Sequence, residues 1–338
     1  MTGLRGNTAR RSGGAVLGAI LIALVVVAPN FLTAYSLYIL TEIAIYAIAC
    51  LGLTVVIGWS GQTALAQAGF FGVGAYGTAY LVSRGLPWFL GVIITAVLAA
   101  VIGVLIGIPT TRLKGFYFAI ATLAFGELMT QVFNEWTAVT GGPIGMPVDL
   151  LLLGSLSPNT SLWYMSAIIL GLTIVVLWHV SRTRWGRCLR AVRDMEIATG
   201  SLGLSAMKYK VEAFAVSAIL GSVAGSLFGQ ALTYIDPSAF TSTLVIEFLI
   251  VILVGGADRI GGAIVGAAFL VLIQEELQSV GAYQRLAFGA ALVVMVRFLP
   301  QGIMPLIYSF TRRLFDRPKS TVEPEAERHA PAGAAVSR

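Results

Sequence analysis

The sequence predicts an all-α, polytopic integral membrane protein of about ten transmembrane helices. Three observations lead there. Hydrophobic residues make up 57% of the 338 and charged residues only 11%, whereas a soluble domain carries about 25% charged residues to cover its wet surface. The mean hydropathy is +0.86. Apolar runs of about 20 residues, the length of helix that crosses a bilayer, recur along most of the chain. Runs such as AVLGAILIALVVVA lack the alternation of a membrane β-barrel.

The expected spans are residues 15–33, 35–58, 65–83, 88–108, 115–135, 163–180, 211–234, 240–256, 261–279 and 283–303. Each should be helical, because backbone groups in hydrocarbon must be satisfied within the segment. Arg5, Arg10 and Arg11 precede the first span. That span is longer than a signal-peptide core and lacks a small-x-small cleavage site, so it reads as uncleaved. The third is interrupted by Gly69, Gly72, Gly74 and Gly77, a pattern compatible with two half-helices. The eighth and ninth are short and separated only by the Gly255–Gly261 turn, and glycine-broken segments of this kind often flank a transport path. Residues 1–14 read as a cytoplasmic tail, 15–308 as the transmembrane domain, and 309–338 as a polar, disordered cytoplasmic tail containing Pro318, Pro324 and Pro331.

Charge sets the orientation. With ten spans and a cytoplasmic N-terminus, all of the 22 Lys and Arg residues except Arg84 and Arg285 fall inside. The loop Trp136–Leu162 has neither Lys nor Arg, as an external loop should. The positive-inside rule thus predicts both ends in the cytoplasm. The net charge of +6 reads as this topology signal and not as affinity for nucleic acid, because the basic residues lie between and after the apolar runs.

Chemistry-bearing groups are sparse. Cys50 and Cys188 have no metal-ligand spacing, and His179 and His329 form no cluster, so no metal or cofactor is expected. No nucleophile or paired-carboxylate site is evident either, which argues against an enzyme. Glu42, Glu127 and Glu247 lie inside apolar spans, where acids are costly and are functional candidates by default. They suit a substrate ammonium, a proton relay or a hydrogen-bonding role between helices; Glu275 and Glu276 read as interfacial. Gly103/Gly107, Gly221/Gly225/Gly229 and Gly262/Gly266 have the spacing of tight helix crossings. The stretch GWSGQTALAQAGFFGVGAYG, Gly58 to Gly77, supports two readings, a pathway-lining segment or close packing. Candidate pathway residues are Gly61, Gln62, Gln67, Gly69, Gly72, Thr122 and Glu127.

The loop 181–210 is the strongest local lead. Its first half is basic and amphipathic; its second half sets Met195, Ile197, Ala198, Leu202, Leu204 and Met207 around a Gly200–Gly203 break. A short apolar helix outside the membrane needs either lipid or a partner groove to cover it. A Walker A loop requires Gly-Lys, a dipeptide that occurs nowhere in this chain. If ATP drives transport, another subunit hydrolyses it. An ion-coupled secondary transporter acting alone, with the intramembrane acids as its ion sites, is the competing class.

Four blocks carry a family resemblance: Leu51–Gly77, Thr111–Met146, the 181–210 loop continuing to Gly229, and Ile252–Glu275. They resemble the permease subunits of high-affinity branched-chain amino acid ABC importers. The resemblance implies a multi-pass protein of the bacterial inner membrane that pairs with a second, related permease or with itself. It also implies two cytoplasmic ATP-binding subunits and a periplasmic or lipid-tethered solute-binding protein. The family's coupling helix would fall at Glu196, Ile197, Ala198, Gly203 and Leu204. Here Ile197 replaces the second alanine of the general E-A-A pattern, and the glycine is one place late. Related permeases serve urea, short amides or aromatic acids, so the implied substrate rests on resemblance alone.

Overall fold

The computed structural model describes residues 31–278, apart from 114, 152–155, 196–198 and 200–202, together with Pro29, Gly289 and Arg297. Most of the expected first and tenth spans, and both tails, lie outside the described residues. The eight segments between them contain helices.

Helix α1 (Ala34–Leu53) continues as a π-helix, Thr54–Trp59. Then follow α2 (Gln67–Ser83), α3 (Trp88–Thr110), α4 (Phe116–Glu135) and α5 (Pro158–Arg182). A short helix α6 (Arg184–Asp194) precedes α7 (Ala206–Leu232), α8 (Ser242–Gly255) and α9 (Ile260–Gln278). Among the described residues, six helical stretches are long and apolar enough to cross a membrane, those of α1, α3, α4, α5, α7 and α9. Helices α2 and α8, of 17 and 14 residues, are shorter.

Helix α7 is the centre of the bundle and packs on α1, α2 and α3. Its small residues explain why. A Cβ added to Gly225 would stand 1.8 Å from the Phe71 carbonyl oxygen, and one added to Gly74 would stand 1.9 Å from that of Ser222. Backbones this close admit only glycine. The same device joins α8 to α9, where a Cβ on Gly266 would meet the Val251 carbonyl at 2.0 Å. Serine and threonine hydroxyls fasten the close contacts: Thr78 meets Ser226 at 2.7 Å and Thr95 at 3.1 Å, and Ser226 donates to the Gly74 carbonyl at 3.1 Å. Around this seam lies an aromatic cluster in which Phe71 faces Phe228, Phe240 and Phe248 at centroid distances of 5.0, 6.2 and 5.4 Å.

The third expected span is one unbroken helix and not two halves. Its glycines face different neighbours: Gly69 meets Phe125 and Met129, Gly72 meets Phe133, Gly74 meets Ser222 and Gly77 meets Thr95. Packing on several sides keeps the helix intact where a lone glycine-rich segment would fray. The break comes earlier, at the π-helix and the non-helical residues 61–66. Part of the Lys- and Arg-free loop packs on the C-terminal end of α7. Met146 and Pro147 pair antiparallel with Tyr234 and Ile235, and the Gln230 side chain binds the backbone of Asp149 and Leu151.

Replacing Gly225 with Ala should lower the unfolding midpoint of the purified protein in detergent, at a cost of about 1–3 kcal/mol as in other overpacked interiors. Gly171→Ala is the matched control, since a Cβ there meets nothing within 4 Å, and it should leave the midpoint in place. Equal midpoints for both would sink the assignment of α7 as a glycine-mediated core helix.

Candidate functional site

Two regions carry functional geometry. The first surrounds α6. Thr183 caps this helix through its hydroxyl, which accepts from the Gly186 amide. Its apolar side is buried at Leu189 and Val192, while Arg184 and Arg187 are exposed. The amphipathic first half expected of the loop is therefore a helix lying on the bundle. Trp185 Nε1 donates to Glu212 Oε2 at 2.7 Å, which ties α6 to α7.

Arg193, near the end of α6, is the larger junction. Its guanidinium donates to the Gly58 carbonyl in the π-helix and to Asp258 Oδ1, at 2.8 Å, in the α8–α9 turn. Its Nε contacts Asp194 Oδ1 at 2.9 Å. The hydrogen bond to Asp194 is the largest influence raising its pKa, so the cation is secure. Arg190 lies 5.3 Å from the centre of the Trp59 ring. These pairs are partly exposed, and their stabilisation is small, about 0–1 kcal/mol each. Their consequence is geometric: one side chain joins α6, the end of the first helical stretch and the α8–α9 turn. Gly61, at φ +72°, passes directly beneath it, and a Cβ there would fall 2.7 Å from Arg193 Cγ.

Of the expected coupling residues, Glu196, Ile197 and Ala198 lie outside the described residues. Gly203 is exposed at φ +75°, a backbone conformation that favours glycine. The Leu204 amide bonds the Thr199 carbonyl at 3.1 Å. Sequence reasoning placed the functional weight on this second half and missed Arg193 as a tie. Only the fold brings residues 58, 193 and 258 together.

The second region is α4. Of the candidate pathway residues, Gln67 is buried and satisfied: Nε2 donates to the Ala49 carbonyl at 2.8 Å, and Oε1 accepts from Ser217 Oγ at 2.9 Å. It links α1, α2 and α7. Gly69 and Gly72 pack on α4. Thr122 is buried and accepts from the Leu65 amide at 3.0 Å, holding residues 61–66 against α4. Gln62 is buried beside Ser60 and the Lys210 carbonyl. The structure therefore brings Gly61 and Gln62 to the α6 end of the bundle and assigns Gln67, Gly69 and Gly72 to packing contacts.

Glu127 is different, because it is exposed on α4 along with Tyr117, Ile120, Leu128 and Gln131. The exposed face of α3 makes the contrast: Phe89, Ile93, Val97, Val101, Leu105 and Ile108 are all apolar. A face like that of α3 suits lipid. An acid at the centre of a bilayer-spanning helix costs about 2.5–3.5 kcal/mol on insertion scales, so the α4 face suits water or another protein surface. Glu247, by contrast, accepts from Tyr46 at 2.9 Å and Gln274 at 3.1 Å, the inter-helix role among the three open to it.

Known proteins align with this chain across the same region. A family model described as branched-chain amino acid transport system / permease component matches residues 35–297. The high-affinity branched-chain amino acid transport system permease protein LivM of Escherichia coli strain K12 is 33% identical over 316 residues, covering 85% of this chain and 74% of that one. LivM of Salmonella typhimurium strain LT2 is 32% identical with the same coverage. The ribose import permease protein RbsC of Haemophilus influenzae is 27% identical over 301 residues, covering 84% of this chain and 91% of its own. With a family match across nearly the whole described bundle, the chain belongs to the branched-chain amino acid transport system permease family, a transport family and not one of enzymes.

Proposed function

We propose that this chain is the membrane-spanning permease subunit of an ABC importer for branched-chain amino acids, in a bacterial inner membrane. It has about ten spans with both ends in the cytoplasm, in keeping with its charge distribution. Two cytoplasmic ATP-binding subunits hydrolyse ATP, a second related permease or a second copy completes the path, and a solute-binding protein delivers the substrate. The observation that carries this reading is the join at Arg193. A transporter driven from outside needs a rigid element at its cytoplasmic face that moves the bundle as a body, and α6 is tied at one residue to the π-helix and to the α8–α9 turn.

The family match and the relatives named for branched-chain amino acids support the substrate class. The ribose permease among them shows that similarity to this sequence does not by itself exclude other small solutes, and urea, short amides and aromatic acids remain competing substrates. The exposed acid on α4 supports a path on the outer side of that helix, between this chain and its permease partner. ATP binding shifts an inward/outward equilibrium only to the extent that the partners distinguish the two states.

Proteoliposomes containing the chain, its permease partner and the ATPases should take up leucine only with ATP and the binding protein. Uptake by this chain alone, driven by an ion gradient, would establish the secondary-transport class instead. In that assembly, Arg193→Ala should leave insertion and basal ATP hydrolysis intact while lowering leucine moved per ATP at least fivefold. The exchange Arg193→Asp with Asp258→Arg should recover part of it, and an unchanged ratio in Arg193→Ala sinks the tie. Finally, in a background with Cys50 and Cys188 replaced, Glu127→Cys should react with a water-soluble maleimide and Val101→Cys should not. The reverse pattern would put the path elsewhere.

A further inference from the structure

Helices α3 and α7 meet closely along one flank only. At Gly103 the backbones are near, since a Cβ there would stand 2.9 Å from that of Ala218. Beside this crossing lies a groove of about 670 Å³, walled by Val104 and Ile108 of α3 and by Val211, Ala215 and Val216 of α7. Val104 and Ile108 belong as well to the exposed apolar face of α3, with Val101 and Leu105. The groove therefore opens onto the surface that suits lipid, where hydrocarbon and not water is the solvent.

Toward α6 its character changes. Trp185, Ser205, Lys208 and Glu212 line that end. The Trp185 indole, tied by Nε1 to Glu212 Oε2 at 2.7 Å, is the kind of amphipathic ring that marks a membrane–water boundary. Glu212 is the one acid in the lining. Its Oε2 is taken by the indole, and its Oε1 reaches Lys208 Nζ only at 4.0 Å. The Lys208 side chain is 73% exposed, so its ammonium has room for a second anion. Arg184 and Arg187 are exposed on α6 to either side of Trp185 in sequence, and Arg112 is exposed one turn beyond Ile108. An apolar groove thus ends in a basic rim, which favours an anionic over a zwitterionic headgroup.

We propose that this groove holds one anionic phospholipid of the cytoplasmic leaflet. One acyl chain lies along Val104, Ile108, Val211 and Ala215. The phosphate meets Lys208 and the hydroxyl of Ser205, whose oxygen already accepts from the Lys208 amide and whose proton is left to donate. Lipid is the occupant because the groove wall is continuous with the outer face of α3, so a protein seated there would have to displace lipid from that face too. The proposal rests on the importer reading only for the name of the leaflet.

Photolabelling of the purified full chain in phosphatidylcholine nanodiscs tests it. The probes are phosphatidylglycerol and phosphatidylcholine, each carrying a diazirine in one acyl chain, and the labelled residues are read by peptide mass spectrometry. Label is expected within 104–108 and 211–216, at least roughly fivefold more from phosphatidylglycerol, as one well-placed cation supplies. Lys208→Gln should remove most of that preference. Val104→Trp, at an exposed position facing the groove, should fill it and abolish label at 211–216. Label at Phe89–Val97 should persist in both variants, which shows that they remain folded and inserted. Equal labelling by the two probes, an unchanged preference in Lys208→Gln, or persistent label at 211–216 in Val104→Trp overturns the proposal. Label that disappears once the ATP-binding subunits or a permease partner are added puts a protein in the groove and overturns it as well. Each of these results with ATP-driven leucine uptake intact leaves the importer reading standing.

Discussion

The contact on which the rest of the bundle depends is the crossing of α2 and α7. In hydrocarbon there is little hydrophobic gain from bringing two apolar helices together, so association rests on close packing and a few internal hydrogen bonds. Gly74 and Gly225 let the two backbones approach until each helix touches the other's carbonyl oxygens. The Thr78 and Ser226 hydroxyls then find partners within the seam instead of in water, Ser226 reaching the Gly74 and Ser222 carbonyls. Helices α1 and α3 pack on this pair, and the Phe71 cluster fills the space beside it.

Polarity in the remaining bundle divides by whether it is satisfied. Gln67, Ser217 and Thr122 are buried and bonded to backbone or to one another, and they hold helices in register. Glu247 is held by Tyr46 and Gln274. Against this background Glu127 stands apart, exposed on α4.

Much of this was legible in the chain itself. The eight inner apolar segments became helices because length and apolar content set that outcome in a bilayer whatever the neighbours are. The paired glycines at 221 and 225 and at 262 and 266 announced close crossings. The 65–83 segment was harder, because glycine every few residues fits both a broken helix and a helix packed on several sides. Spacing does not distinguish these, and only its partners Phe125, Phe133, Ser222 and Thr95 do. Gln62 and Gln67 looked equivalent for the same reason. They differ in what the fold brings to their oxygens: Ser217 for Gln67, nothing for Gln62.

The sequence by itself therefore determined the membrane class, the helical content and the absence of its own ATP-binding loop. These follow from composition and local pattern, which act residue by residue along the chain. The tertiary structure decided which polar groups are spent on cohesion and which are left to act. That depends on contacts between residues far apart, such as Arg193 with Gly58 and Asp258, separated from it by 135 and 65 positions, and no local pattern encodes such a meeting.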